Sequence, residues 1–193
     1  MDRKKDALDL LRKIPPPLLL AVAVGGIILL LVLFSGPEQG RLPVKGVKAL
    51  TFTAVDLSGQ KVSLSDYRGK VVLLDFWATW CSPCLMELPH IKRVYDRYKN
   101  DGFTVIGISL NTDRTELETL VRMVGIEWPQ IFDGKGWENE ISRLYNVYSL
   151  PATFLVDQKG LIRYVNLRGE QELDRAVREL LGKEKVVQSP AAY

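Results

Sequence analysis

The feature that most constrains this chain is the run Val71-Val72-Leu73-Leu74-Asp75-Phe76-Trp77, which leads within a few residues into Cys81-Ser82-Pro83-Cys84. Apart from Asp75 the run is apolar, and it follows Gly69-Lys70. Composition and bounds read as a buried β-strand. Leu85 to Tyr98 has a helical pattern, so the cysteine pair sits at a strand-to-helix junction. Cys81 then falls at or near the helix N-terminus. Unsatisfied N–H groups and the positive end of the helix dipole lie there. Both favour the thiolate, which is the reactive form of cysteine. A pair this close can also close and reopen a small ring, as dithiol–disulfide exchange requires.

Plainer readings compete: a structural disulfide, buried thiols, or half of a metal site. A structural zinc site takes about four ligands. The chain offers only Cys81, Cys84 and His90 as Cys or His ligands, so such a site is short of one. A structural bridge over so small a loop stabilises little. The residues therefore favour redox chemistry, with no cofactor and no metal. His90 reads as a surface residue.

The N-terminus carries a second signal. Met1 to Lys13 holds Arg3, Lys4, Lys5, Arg12 and Lys13, followed by Ile14 and Pro15 to Pro17. Leu18 to Phe34 is uncharged and apolar. With the prolines the segment reaches the span of about 20 residues that crosses a bilayer. Proline is tolerated at a helix start, and the lack of a polar face argues against a buried core helix. A cleaved signal peptide is the alternative, but the run is long for an h-region and lacks a good small-x-small site after it. The basic tail places Met1 in the cytoplasm and the rest outside.

The expected organisation is a cytoplasmic tail over 1–14, a transmembrane anchor over 15–34, a linker over 35–48, one domain over 49–183 and a loose tail over 184–193. The linker reading rests on Gly36-Pro37, Gly40, Pro43 and Gly46. A net charge of +3 and the absence of a basic stripe interleaved with aromatics give no case for nucleic acid.

Within the domain, strands are expected around Thr51–Asp56 and Lys61–Leu64, with Ser58-Gly59 as the turn. Strands follow over Lys70–Trp77, Phe103–Leu110, Trp128–Phe132, Leu150–Asp157 and Leu161–Leu167. Helices are expected over Ser82–Lys99 with a kink at Pro89, from a Thr112/Asp113 cap to Val124, over Trp137–Tyr145 and over Glu170–Leu181. Strands alternating with helices, then a hairpin and a last helix, give an α/β fold with a mixed central sheet between helical layers.

Trp77-Ala78-Thr79-Trp80-Cys81-Ser82-Pro83-Cys84 resembles the active site of the thioredoxin superfamily. The longer pattern, from Phe52 through Gly69 to Cys84 and on to Glu87-Leu88-Pro89, resembles its TlpA/ResA branch of membrane-anchored extracytoplasmic thiol–disulfide oxidoreductases. The likeness covers about Thr51 to Leu181. It implies a thioredoxin-like fold with an N-terminal β-hairpin and a central insertion around Asp113–Tyr145, preceded by one transmembrane helix.

Site residues follow from both lines. Cys81 is the nucleophile. Cys84, one turn into the helix, is shielded and resolves the mixed disulfide. Ser82 and Pro83 tune the helix start. Asp75 is a carboxylate in an apolar strand; burial would raise its pKa and suit it to proton exchange with Cys84. An outward-facing Asp is the alternative. Thioredoxins carry Asp here, whereas ResA-like members often have Asn. Glu87 follows Cys84 at i, i+3 on the same helix face, and C-x-x-C-x-x-E-x-P matches the branch pattern. The likeness also makes Pro151 a cis-proline facing the cysteines, with Leu150 backbone groups open to an extended client. Trp80 is expected on the docking surface and Trp77 in the core.

The expected function is reduction of disulfides in exported proteins, at the bacterial cell (inner) membrane with the redox domain on the periplasmic or extracytoplasmic side. The likeness implies a membrane electron donor of DsbD/CcdA type, and apocytochrome c as a client in cytochrome c maturation. A disulfide-forming oxidant, and a binding or chaperone module with a structural disulfide, stand as alternatives. A peroxiredoxin fits less well, because Cys81 lacks a Pro-x-x-x-Thr-x-x-Cys setting.

Overall fold

The computed structural model describes residues 45–183. The expected cytoplasmic tail, the membrane anchor, most of the linker and the tail from 184 lie outside the described residues. Among the described residues no helix is long and apolar enough to cross a membrane.

The domain opens with strands β1 (Thr53–Val55) and β2 (Lys61–Ser63), paired antiparallel with Ala54 opposite Val62. Asp56 makes the turn between them: its Oδ1 accepts the N–H groups of Ser58 and Gln60, both at 2.9 Å. An Asp that bonds the backbone a few residues on is how such turns form. The hairpin stands apart from the main sheet and meets its edge at an Asp56–Ile131 bridge.

The main sheet contains β3 (Val71–Trp77), β4 (Phe103–Ser109), β5 (Gln130–Phe132), β6 (Ala152–Val156) and β7 (Ile162–Val165), in the order β5-β4-β3-β6-β7. β3 runs parallel to β4 and antiparallel to β6. Every residue of β3 is buried, as expected of a central strand covered on both faces. The sequence reading over Gly46 to Ala49 was linker and domain start; there the main chain is bonded to the outer edge. Gly46 N–H donates to the Ile162 carbonyl at 2.6 Å, Ile162 N–H to Val47 at 2.9 Å, and Ala49 N–H to Gly160 at 2.9 Å. This contact covers part of an otherwise open sheet edge.

Helix α1 (Ser82–Tyr98) buries Cys84, Leu88, Ile91, Val94 and Tyr98, a stripe at helical spacing. Pro89, read as a kink, lies on the exposed face, and the helix runs unbroken through it. Water can serve a carbonyl left unpaired there. Helix α2 (Arg114–Val124) is capped by Asp113, whose Oδ1 accepts Glu116 N–H at 3.0 Å. The single helix expected over Trp137–Tyr145 is instead a 3₁₀ turn, Gly136–Glu138, followed by α3 (Glu140–Leu144). Asn139 causes the break. Its Oδ1 accepts the N–H groups of Ile141 and Ser142 at 3.1 and 2.9 Å, which starts a new helix. Helix α4 (Gly169–Leu180) closes the domain.

Alternation along β3 divides the core. Leu74 and Phe76 point into an aromatic cluster, where Phe76 lies 5.6 Å from Tyr145 and 5.7 Å from Phe154, ring centre to ring centre. Leu73 and Asp75 point the other way, towards Ile91 of α1 and Leu173 of α4. Arg93 and Arg97 of α1 join these two helices through Glu170 at 2.5 and 3.0 Å.

Candidate active site

Cys81 is the N-cap of α1, and its Sγ accepts the Cys84 N–H at 3.3 Å. The two cysteines form a disulfide, with Cα atoms 5.3 Å apart. Ser82 and Pro83 fill the first turn, where proline's missing N–H leaves nothing unpaired. Cys81 is 6% exposed and Cys84 2%. In the oxidised state Cys81 is thus nearly as buried as Cys84. The bridge draws Cys81 Sγ against a residue on the buried stripe of α1.

The loop between β3 and Cys81 is pinned from below. Asn111, just beyond β4, accepts Thr79 N–H at 3.1 Å through Oδ1 and donates to Thr79 Oγ1 through Nδ2. Ser109 Oγ donates to the same Asn111 Oδ1 at 2.9 Å, and Thr79 Oγ1 donates to Glu116 on α2 at 2.6 Å. Ser109 and Asn111 are fully buried. Sequence reasoning missed this network. Its only trace is two polar residues at the end of an apolar strand, Ser109 and Asn111 around Leu110.

Behind the disulfide, Asp75 is 2% exposed. It faces inward, not outward, and lines a cavity of about 10 Å³ with Glu87, Pro151, Thr153, Leu167 and Gly169. Such a space is roughly that of one water molecule. Among the described residues no donor is hydrogen-bonded to the Asp75 carboxylate. Burial pushes its pKa up to about 7, against a partial offset from the Arg168 guanidinium and with a further push from Glu87. Glu87 Oε2 accepts Gly169 N–H, the first residue of α4, at 2.9 Å. That bond ties α1 to α4 directly below the cysteines.

Pro151 follows a cis peptide bond from Leu150 and enters β6. The register that sets Phe76 opposite Ala152 brings this entry to the same end of the sheet as the cysteines. The Pro151 carbonyl accepts from Arg168 Nη2. Arg168 had no place in the sequence reading. An arginine just before a helix-starting glycine carries no motif.

The site has an aromatic rim. Trp80 is 51% exposed, and its ring lies 5.9 Å from that of Trp137, also exposed. Tyr148 projects into solvent near the Pro151 segment in sequence. Trp77 is buried, and its indole N–H donates to Gln130 Oε1 at 2.9 Å. Gly107 makes room for that amide: a Cβ there would lie 2.2 Å from Gln130 Oε1. His90 pairs through Nδ1 with Arg93 at 2.7 Å. Among the described residues no group of His, Cys, Asp and Glu converges as metal ligands would.

The AhpC/TSA family matches residues 45–165. A thiol-disulfide oxidoreductase ResA from Bacillus cereus is 34% identical over 138 residues, covering 72% of this chain and 76% of the relative. The crystal structure of the thioredoxin domain of a thiol-disulfide oxidoreductase from Bacteroides vulgatus superposes with a TM-score of 0.66 at 32% identity, over 72% of this chain and 98% of that one. A thiol:disulfide interchange protein of the thioredoxin family from Chlorobium tepidum gives a TM-score of 0.64 at 27% identity, over 72% of this chain and 99% of that one.

Proposed function

The chain belongs to the AhpC/TSA family and is a thiol–disulfide oxidoreductase with a thioredoxin-like fold; on that premise we propose that it is a membrane-tethered reductase of disulfides in exported proteins. The observation that carries the direction is the charge set around the cysteines. Cys81 Sγ accepts a single amide N–H. The charged groups on the α1 side of β3 behind the pair are two carboxylates, Asp75 and Glu87, against one guanidinium, Arg168, so carboxylates outnumber cations there. A strong oxidant of this kind owes its potential to a stabilised reduced form. Carboxylates oppose a thiolate by charge repulsion, which favours the disulfide state and makes the dithiol a willing electron donor.

In the cycle, the Cys81 thiolate attacks one sulfur of a client disulfide. A mixed disulfide forms, and the first client sulfur leaves as a thiolate. Asp75 takes the Cys84 proton, directly or through one water. The Cys84 thiolate then attacks Cys81 Sγ, forming the Cys81–Cys84 bridge and expelling the second client thiolate. Two electrons have passed to the client. A two-electron donor in the membrane, of DsbD/CcdA type, restores the dithiol. Leu150 backbone groups beside Pro151 pair with the extended client segment, and Trp80 supplies apolar contact. Residues 15–34 hold the chain in the bacterial cell (inner) membrane with the redox domain outside. Apocytochrome c is the client class this reading favours.

The test is the reduction potential of the full-length chain in defined thiol–disulfide buffers. A value near or below about −220 mV supports the reductant, and one near about −120 mV reverses the direction. Labelling of intact cells with a membrane-impermeant thiol reagent checks location. Modification of the reduced Cys81 is expected, and protection until lysis would place the domain in the cytoplasm.

A further inference from the structure

Arg168 joins two backbone segments at the edge of the site behind the cysteines. Its side chain donates from Nη1 to the Leu167 carbonyl at 2.8 Å and from Nη2 to the Pro151 carbonyl. Its backbone N–H donates to Glu172 Oε2 at 2.9 Å, which fixes the residue at the start of α4. The next residue, Gly169, has φ +68° and donates to Glu87. A left-handed backbone suits glycine, and here it lets the chain turn so that Arg168 reaches Pro151 while Gly169 reaches α1. Arg168 is the cation whose field acts on Asp75. The charged groups facing Asp75 are Glu87 from α1 and Arg168 from the β7–α4 connection, while β6 offers the neutral Thr153.

We propose that Arg168 is a positioning residue for thiol–disulfide exchange. Its planar fork holds the Pro151 carbonyl, and with it the Leu150 backbone that receives a client, in place beside the disulfide. Its charge balances the carboxylate pair behind the cysteines. Guanidinium suits both tasks because it stays charged and bonds two carbonyls at once. Lysine keeps the charge and loses the fork. The inference rests on the proposed function for the pairing of a client with the Leu150 backbone and for the direction of electron flow.

That difference sets the experiment. The full-length wild type, Arg168→Ala and Arg168→Lys are compared in two measurements. The first is steady-state reduction of insulin, a protein disulfide, beside exchange with glutathione disulfide, whose short peptide offers the Leu150 backbone less to pair with. The second is the titration midpoint of the Asp75 carboxyl, followed by its infrared C=O band and assigned with Asp75→Asn. Arg168→Ala is expected to raise KM for insulin about tenfold, as loss of a charge-assisted hydrogen bond would. It should raise KM for glutathione disulfide much less and move the Asp75 midpoint upward by about one unit. Arg168→Lys should restore the midpoint and not the insulin KM. An alanine variant with unchanged insulin KM and an unmoved midpoint overturns the proposal. So does a lysine variant that restores neither quantity, since Arg168 would then serve the fold alone. A wild type that exchanges with glutathione disulfide and leaves insulin oxidised overturns the reductase reading instead. The Asp75 midpoint then decides the role of Arg168 by itself.

Discussion

Two aspartates of the central sheet are almost equally buried, and they have opposite surroundings. Asp157 follows β6 at the end away from the cysteines, where Val156 pairs with Val72. Its Oδ1 accepts the N–H groups of Lys159 and Leu161 at 3.0 and 2.9 Å, and its Oδ2 accepts from Arg163 at 3.2 Å. It closes the β6–β7 turn. Asp75, near the cysteine end of β3, has no such donors among the described residues and faces a small cavity. A buried carboxyl without donors keeps its proton to a higher pH, and a pKa near the working pH is what proton transfer to or from Cys84, as proposed above, would use. On the proposed function, the same residue type serves the fold at one end of the sheet and the chemistry at the other.

The largest expected effect lies at the cysteines. Cys81→Ser should lower exchange by at least about a thousandfold, as loss of a nucleophile does. Cys84→Ser should still attack a client and then stall as a mixed disulfide, visible as a covalent adduct on a non-reducing gel. An active Cys81→Ser protein would make the bridge merely structural and erase the contrast between the two ends.

Paired Asp-to-Asn substitutions sharpen the contrast directly. Asp75→Asn should slow resolution of the mixed disulfide by about a hundredfold, the reach of a lost general base, and leave thermal stability equal or higher. Asp157→Asn should do the reverse: exchange unchanged, stability lowered by about 1–3 kcal/mol as N–H and guanidinium donors lose a charged acceptor. Stopped-flow exchange and calorimetry on the same samples separate the two. Equal losses of stability would break the comparison.

The pH dependence carries a definite sign. The Asp75 pKa is raised from 3.8 to about 7 by burial. Between those values the folded protein holds a proton that the unfolded chain has released. By linkage, stability is highest below pH 3.8 as far as this group is concerned. It falls as pH rises to about 7, then levels off, losing at most about 4 kcal/mol. Denaturant titrations of wild type minus Asp75→Asn should show that slope, and a flat difference would mean an ordinary carboxylate. The base role runs the other way: mixed-disulfide resolution should quicken as pH rises through about 7.

Smaller effects belong to the supports. Asn111→Ala removes the pin under the Thr79–Trp80 loop and should cost about 2 kcal/mol of stability, because buried partners lose their bonds. Exchange with glutathione disulfide should fall only a few-fold by the same loosening. Trp80→Ala should raise KM for insulin about threefold, as loss of a partly exposed apolar contact would, with no change for glutathione disulfide.

Local signals made much of this legible. The apolar run of β3 and the C-x-x-C at a helix start identified the strand, the helix and the redox pair, because each is fixed by neighbours in sequence. The aromatic rim was half visible: Trp80 adjoins Cys81, whereas Trp137 reaches it from the insertion. The split at Asn139 was missed because an N-cap inside a helical pattern is set by where one side chain points.

What the sequence by itself determined is the chemistry: a dithiol at a helix N-terminus, a carboxylate in the strand before it and another one turn after it. Periodicity and capping are local, so a single chain displays them. What only the tertiary structure decided is the company those groups keep. Arg168 lies far from Asp75 in sequence, Asn111 far from Thr79, and Gly169 far from Glu87. They meet because β4 and β6 flank β3 and because α4 lies against α1. Burial without a donor separates Asp75 from Asp157, and burial is a property of the packed sheet, which no stretch of sequence carries alone.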